Sequence, residues 1–290
     1  MKKILHIIEA ALVYKLIFIF GALPYVTASN IGGFLGRKLG PLLKVNKTAR
    51  NNIKLAMPEL SEAKVEEILL GMWDNLGRVM TEFSHMNRMT ANKIDELVTI
   101  EGQEHLDALR RENGGFLMTG HFGNWEMIPA ASYQKGCPLH IVYRKANNPY
   151  VDKIVCNMRK NYQVSASAKG SVGARQIIKA LKLGKHALML VDQKQNDGIA
   201  VPLFGRDAMT APGIATMALK YDCKIFPAKL KRVHGHKFKF TAYPPINIVR
   251  SGNEKEDIQN LMTSINIILE GWIRKNPEQW FWVHNRWPKK

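Results

Sequence analysis

The chain is poor in cysteine: among its 290 residues, Cys137, Cys156 and Cys223 stand alone, and no Cys-x-x-Cys pair occurs. That pattern argues against a zinc or dithiol redox site and suits reduced thiols on the cytoplasmic side. His234-x-His236 has no third ligand nearby, so it reads either as an incomplete metal set or as two surface histidines. No metal or cofactor is expected. Other signatures are missing too. Gly170-Ser171-Val172-Gly173 lacks the first glycine of a nucleophile elbow, and there is no Walker A loop. Gly32, Gly33 and Gly36 do not supply the Gly-x-Gly start of a dinucleotide fingerprint. No internal repeat or low-complexity linker occurs. Acid is scarce: 24 Asp and Glu face 42 Lys and Arg, giving a formal charge of +18. Such a balance demands an anionic environment or partner, whether nucleic acid, anionic lipid or an acidic carrier protein. The bases are spread along the chain, densest at Lys229-Lys231-Arg232 and Lys237-Lys239. Without an arginine-rich tail or zinc finger, nucleic acid is disfavoured.

What is present alternates. Strands are expected at 116–119, 140–144, 163–166, 187–192 and 224–230, with helices between them at 124–134, 149–161, 171–183 and 210–221. Strand–helix alternation argues an α/β fold with a mostly parallel central sheet flanked by helices. Residues 238–243 read as a late antiparallel strand. Ser61 reads as the cap of a long helix to about Met86, and residues 254–275 as a final helix. One α/β domain over 46–290 is expected behind an N-terminal membrane-anchor region, 1–45.

The anchor rests on Ile4 to Pro24, ILHIIEAALVYKLIFIFGALP, which approaches the length of a bilayer span. His6, Glu9 and Lys15 interrupt it, and each is costly at a bilayer centre. The segment reads as a non-cleaved helix, lying in the interface or inserted at a slant, or else as the core helix of a soluble domain. Arg37, Lys38, Lys44, Lys47 and Arg50 beyond it suit an anionic cytoplasmic leaflet.

The chemistry concentrates in Gly120-His121-Phe122-Gly123-Asn124-Trp125-Glu126, straight after the apolar run 116–119. The motif falls on a strand-to-helix turn, at the sheet edge where open α/β sheets bind ligands. Asn124 reads as the N-cap of the following helix. His121 and Glu126 would sit on different faces of an unbroken helix. A turn at His121 would fold them together, so that Glu126 fixes the imidazole tautomer and the other ring nitrogen takes a proton. The spacing alone equally permits a turn histidine beside an N-terminal helix charge.

Other polar residues fall at the same predicted edge: Arg144, Asn148, Asp192 and Gln193 follow strands, and Arg175 opens a helix. An arginine at a helix start invites an anionic partner such as a lipid phosphate, although solvated charge reads as well. Val201–Gly205 and Ala208–Pro212, with Thr210 as a helix cap, read as an acyl-groove lining or a plain connection. Pro277 to Trp287 holds Trp280, Trp282 and Trp287, which fits buried aromatics or an interfacial belt.

These residues together resemble the bacterial lipid A biosynthesis acyltransferases, within the lysophospholipid acyltransferase superfamily. The resemblance spans nearly the whole chain. It rests on GHFGNWE at 120–126, YRKANNP at 143–149, GARQIIKALKLGK at 173–185, VDQK at 191–194, VPLFG at 201–205, AMTAPG at 208–213 and PEQWFWVHNRW at 277–287. It implies acyl transfer from an acyl-carrier-protein thioester to a lipid A precursor hydroxyl, at the cytoplasmic face of a bacterial inner membrane rich in anionic lipids. It also implies His121 as general base and Glu126 as its partner. The glycerolipid branch usually carries Asp in the acidic place and a Phe-Pro-Glu-Gly-Thr-type phosphate motif. Here the acid is Glu126 and the sole Phe-Pro is Phe226-Pro227-Ala228-Lys229, so that branch is disfavoured. Arg144, Arg175, Asn148, Asp192 and Gln193 are then the expected substrate-binding residues. The alternatives are acylation of another glycolipid or phospholipid, a basic peripheral membrane binder without chemistry, and a nucleic-acid-binding protein.

Overall fold

Strands with no polar face must be covered on both sides, and the central strands of this chain have that character. The computed structural model describes residues 2–143, 145–160, 166–168 and 170–287. The strands are β1 (Val98–Glu101), β2 (Gly115–Thr119), β3 (Leu139–Tyr143), β4 (Ala166–Ala168), β5 (His186–Leu190), β6 (Lys194–Leu203), β7 (Arg206–Thr210), β8 (Lys224–His234) and β9 (Lys237–Ala242). The helices are α1 (Lys2–Ala22), α2 (Tyr25–Leu39), α3 (Val45–Ala56), α4 (Glu62–Glu82), α5 (Ala91–Leu97), α6 (Gln103–Arg111), α7 (Ile128–Gln134), α8 (Pro149–Arg159), α9 (Ser171–Lys182), α10 (Gly213–Tyr221) and α11 (Glu254–Lys275).

Seven strands form one sheet in the order β1-β9-β8-β2-β5-β3-β4. From β8 through β4 every pairing is parallel, and β9 is antiparallel to β8 and parallel to β1. The expected α/β class and mostly parallel sheet are therefore what the chain adopts. Strand β2 is buried along its whole length. Its alternate residues feed two cores. Phe116 and Met118 pack with α9, α10 and α11 on one face, and Leu117 packs with Met127, Ile128 and Leu139 on the other. The chain leaves β2 towards β3 on one side and returns as β8 on the other. The carboxyl end of β2 is thus a topological switch point, where such sheets open a crevice.

The hairpin at 194–210 differs from the sequence reading, and one expected strand is described only in part. Of the strand expected at 163–166, residues 163–165 lie outside the described residues, and β4 begins at Ala166. The segment 194–210 is an antiparallel hairpin, β6–β7, with Val201, Leu203 and Ala208 in the core. Thr210 therefore ends a strand: its hydroxyl donates to the Ala208 carbonyl at 2.8 Å, and α10 begins at Gly213 without a side-chain cap. The alternating apolar pattern of a short hairpin was hidden by its Pro202 and the adjacent Phe204-Gly205 turn.

Pro24 separates α1 from α2. Helix α2 lies directly on α4 because glycines line the crossing. A Cβ at Gly36 would come 2.0 Å from the Trp73 carbonyl oxygen, and one at Gly77 would come 2.1 Å from the Gly32 carbonyl oxygen. By contrast, most of α1 is exposed. Lys3–Ala22 is long and apolar enough to cross a membrane, and little of it is buried in the domain. Polar ties hold it to the domain: Arg88 donates to the Gly21 carbonyl at 3.0 Å, and Asn148 donates to Glu9 Oε2 at 2.8 Å and to the His6 carbonyl at 2.7 Å.

Replacing a helical glycine normally gains up to about 1 kcal/mol of helix propensity. At Gly36 the clash is with backbone, which cannot swing aside, and overpacking of this kind costs about 1–3 kcal/mol or more. Gly36→Val should therefore lower the midpoint of thermal or urea unfolding, whereas Gly271→Ala on α11, whose Cβ meets nothing within 4 Å, should not lower it.

Candidate active site

The register of β2 and β5 decides which residues meet. Thr119 stands opposite Leu190, and the Val191 N–H donates to the Thr119 carbonyl at 3.0 Å. Two residues further, Asp192 is brought beside His121. A Cβ on Gly120 would sit 3.1 Å from Asp192 Oδ2 and 3.2 Å from Leu269 Cδ2, a tight fit that glycine relieves. Asp192 is 2% exposed. Its Oδ1 lies 2.8 Å from His121 Nδ1, while Oδ2 accepts the His121 backbone N–H at 2.7 Å and the Trp280 indole N–H at 2.8 Å. Burial alone would push this carboxyl up. The His121 charge and these hydrogen bonds outweigh it and hold the pKa at about 2.

An ionised Asp192 is acceptor only, so a neutral His121 donates from Nδ1 and keeps its lone pair on Nε2. Nε2 lies 3.3 Å from the Gln193 amide nitrogen. The ring packs edge-on against Trp125, with centroids 5.1 Å apart, and tilted against Phe281 at 5.8 Å. It faces a cavity of about 1320 Å³ at the carboxyl ends of β2, β3 and β5. That is larger than a typical small-molecule pocket. Its walls include apolar Pro129, Ile141, Val155, Ile177, Leu188 and Met217.

Glu126 is not the partner of this imidazole. Arg159 of α8 grips it bidentately, Nε to Oε2 at 3.0 Å and Nη2 to Oε1 at 2.7 Å. The Arg159 guanidinium also lies against the rings of Phe83 and Tyr143, at 5.8 and 5.7 Å. The cause is local. Asn124 does not cap a helix: its side chain donates to Glu82 Oε2 at 2.7 Å. Trp125–Met127 then forms a single 3-10 turn before α7, in place of the unbroken helix expected from 124. Both Glu126 and Arg159 still line the cavity.

The remaining expected residues divide. Asp192 and Gln193 are at the site, but against His121; buried Asp192 orients the ring and is not positioned to bind a substrate. Asn148 is 3% exposed and structural: it accepts the Tyr150 N–H as the N-cap of α8 and donates to the His6 carbonyl at 2.7 Å. Arg175 is exposed on α9, whose contributions to the cavity include Ala174 and Ile177. Arg144 lies outside the described residues.

Two supports hold the turn, and the first has no sequence signature. Behind it, Glu82 and Arg232 form a buried bidentate pair at 2.6 and 2.9 Å. Arg232 Nε donates to Asn75 at 2.9 Å, and Asn75 donates to the Gly123 carbonyl at 3.0 Å. Gly123, at φ 58°, passes so close to β8 that a Cβ would meet the Leu230 carbonyl oxygen at 1.9 Å. In front of the turn lies the C-terminal segment. The Gly123 N–H donates to the Gln279 carbonyl at 2.9 Å and the Phe281 N–H to the His121 carbonyl at 3.1 Å. His284 accepts the Lys194 N–H at 2.8 Å. Arg286 is fully buried and donates to the Met209 carbonyl and Thr210 Oγ1; burial lowers its pKa to about 10 against the raising effect of Asp192. Trp280, Trp282 and Trp287 are buried, so this aromatic segment is a core clamp.

Residues 1–289 match the family described as bacterial lipid A biosynthesis acyltransferase. The chain belongs to that family. It is an O-acyltransferase of the late lipid A type, as the motifs indicated. It is 24% identical over 270 residues to the lipid A biosynthesis lauroyltransferase of Escherichia coli (strain K12), covering 91% of this chain and 86% of that one. The lipid A biosynthesis palmitoleoyltransferase of the same organism is 23% identical over the same shares. The lipid A biosynthesis myristoyltransferase is 22% identical over 254 residues, 86% of this chain and 77% of that one.

Asp192 ties the acyltransferase's stability to pH. Its folded pKa of about 2 lies below its ordinary value of 3.8. Its stabilisation is therefore complete above about pH 4 and is lost as pH falls towards 2. At about 1.4 kcal/mol per pH unit of separation, the loss is of order 2 kcal/mol. Unfolding free energy measured between pH 5 and pH 2 should fall less steeply in Asp192→Asn than in the wild type.

Proposed function

We propose that this acyltransferase moves a fatty acyl chain from an acyl-carrier-protein thioester to a hydroxyl of a lipid A precursor, with His121 as general base. The observation that supports this reading is the imidazole held by buried Asp192, with its Nε2 turned to a large cavity. The acceptor hydroxyl displaces the Gln193 amide and gives its proton to Nε2 as its oxygen attacks the thioester carbonyl. Asp192 fixes the tautomer and stabilises the imidazolium. The Gln193 amide is a donor for the oxyanion formed at the carbonyl. The tetrahedral intermediate collapses by breaking the carbon–sulfur bond, and the thiolate takes the proton from Nε2. No acyl-enzyme forms. A thiolate is a good leaving group, its conjugate acid having a pKa of about 8.5.

Glu126 acts through Arg159. Their pair spans the cavity wall and keeps the guanidinium in a planar, pre-set orientation towards an anionic acceptor. Among the described residues, Arg159 and Lys194 are cations that line the cavity, and both suit a phosphorylated lipid. The apolar walls receive the acyl chain. Exposed apolar residues of α1 attach residues 1–45 to the cytoplasmic leaflet of the inner membrane, where anionic lipids complement the charge of +18.

Kinetics on three variants test the assignment. His121→Ala should lower turnover by about two to four orders of magnitude, the range for general-base loss. Asp192→Asn should lose a comparable factor, whereas Glu126→Gln should act mainly on acceptor dependence. Wild-type turnover in folded His121→Ala overturns the mechanism. Losses in Glu126→Gln as deep as those in His121→Ala return Glu126 to the proton transfer.

Membrane attachment has its own test. Ile4, Leu5, Ile8 and Leu12 are each about 60% exposed on α1. Replacing all four with Gln should move the protein from the membrane to the soluble fraction. Full retention on membranes after a high-salt wash would assign attachment to another surface.

A further inference from the structure

Strand β8 continues alongside the catalytic turn, and its outer residues are lysines. Met118 pairs with Pro227, so Lys229 and Lys231 reach the level of the 120–122 turn, about 5 Å away in the strand-stacking direction. Along β8 the side chains alternate. Phe226, Ala228 and Leu230 enter one core, while Lys229 and Lys231 point to the face that carries α11. Lys231 stands directly opposite Lys239 of β9, and Lys229 opposite Thr241. Lys275 ends α11 five residues before Trp280, whose indole holds Asp192.

This juxtaposition is not what stability alone selects. Like charges directly opposite each other on a sheet are destabilising. Lys239 reaches Glu101 at 2.5 Å, and the pair is about half exposed. Lys229 lies over the rings of Tyr243 and Trp272, at 5.9 and 5.7 Å, which places its ammonium at the rim of the exposed face. Burial, then the charges of Lys275 and Lys231, lower its pKa, with Glu101 opposing. Four lysines thus crowd around one carboxylate.

The patch faces the side of the sheet opposite to the end of the membrane helix, which meets the β8–β9 hairpin at its tip, where the Tyr25 and His236 rings lie 6.5 Å apart. Tyr25 and Met86, beside the end of α1, belong to the core on the Leu117 face, whereas Leu261, Ile265, Leu269 and Trp272 of α11 belong to the core on the opposite face. A surface on the α11 face, at the level of the catalytic turn, is suited to a soluble donor rather than to the bilayer. We propose that Lys229, Lys231, Lys239 and Lys275 form the docking surface for the acidic carrier protein that brings the acyl thioester. The inference rests on the proposed donor, and it adds where that donor sits.

The test separates docking from chemistry. The full-length enzyme in neutral detergent is titrated with fluorescently labelled acyl carrier protein at low salt, and turnover is measured with acyl carrier protein and with an uncharged acyl-N-acetylcysteamine thioester. Lys231→Glu/Lys239→Glu should weaken carrier binding and raise the carrier KM at least tenfold. Turnover of the small thioester should stay within twofold, which also shows that the variant is folded. Lys231→Gln/Lys239→Gln should give an intermediate loss. Unchanged carrier binding overturns the proposal, as does an equal loss with both donors. If the variants instead lose binding to phosphatidylglycerol vesicles while the carrier KM stays constant, the patch faces the membrane and the proposal fails. A wild-type enzyme that binds carrier at the patch but uses only another thioester would refute the donor assignment and leave the docking surface standing.

Discussion

A carboxylate sealed from water must be surrounded by donors or give up its charge, and Asp192 imposes that condition on the whole centre of this acyltransferase. Three donors answer it: the His121 ring, the His121 backbone and the Trp280 indole. To supply the first two, β2 and β5 must be neighbours in one register, and glycine at 120 gives the carboxylate room. To supply the third, the chain must return after α11 and lay its last segment across the front of the turn. The sheet order, the glycine and the aromatic clamp are thus parts of one electrostatic solution.

The back of the turn meets a similar demand with a different pairing. Glu82 is 0% exposed, and Arg232 satisfies it together with Ser29 and Asn124. Removing one member of such a buried pair is far costlier than the pair is worth, because a charge is left alone. The network joins α2, α4, β8 and the turn, so the frame that fixes His121 also fixes the segment following the apolar helix α1. Through it the glycine-lined crossing of α2 on α4 becomes part of the site's support.

Much of this was legible in the residues. The limits of α11, the Ser61 cap of α4 and the place of His121 on a strand-to-helix turn follow from period, caps and apolar runs, which are local. Partnership was not legible, because it is set by strand register across about 70 residues. His-x4-Glu is conspicuous in the sequence, but Asn124 is drawn away by Glu82, the helix starts late, and Glu126 falls to Arg159. Asp192 stood among the expected residues with a different role, since nothing local says that it is sealed beneath the ring. Asn148 was misread for the same reason: its cap is local, but its bond to Glu9 spans nearly half the chain. Arg159 and Arg232 carry no motif of their own, and a charged residue in a helix or strand reads as solvent-facing until its neighbours are known.

Helix α8 has two working faces. Asp152, Val155 and Arg159 border the reaction cavity, and Ile154, Asn157 and Met158 border a cleft of about 220 Å³ against Tyr14, Ile17 and Phe18 of α1. One helix therefore borders both the cavity at His121 and the cleft against the apolar helix α1. Anything that widened or filled the outer cleft would press on α8 from behind without competing for the space inside the cavity.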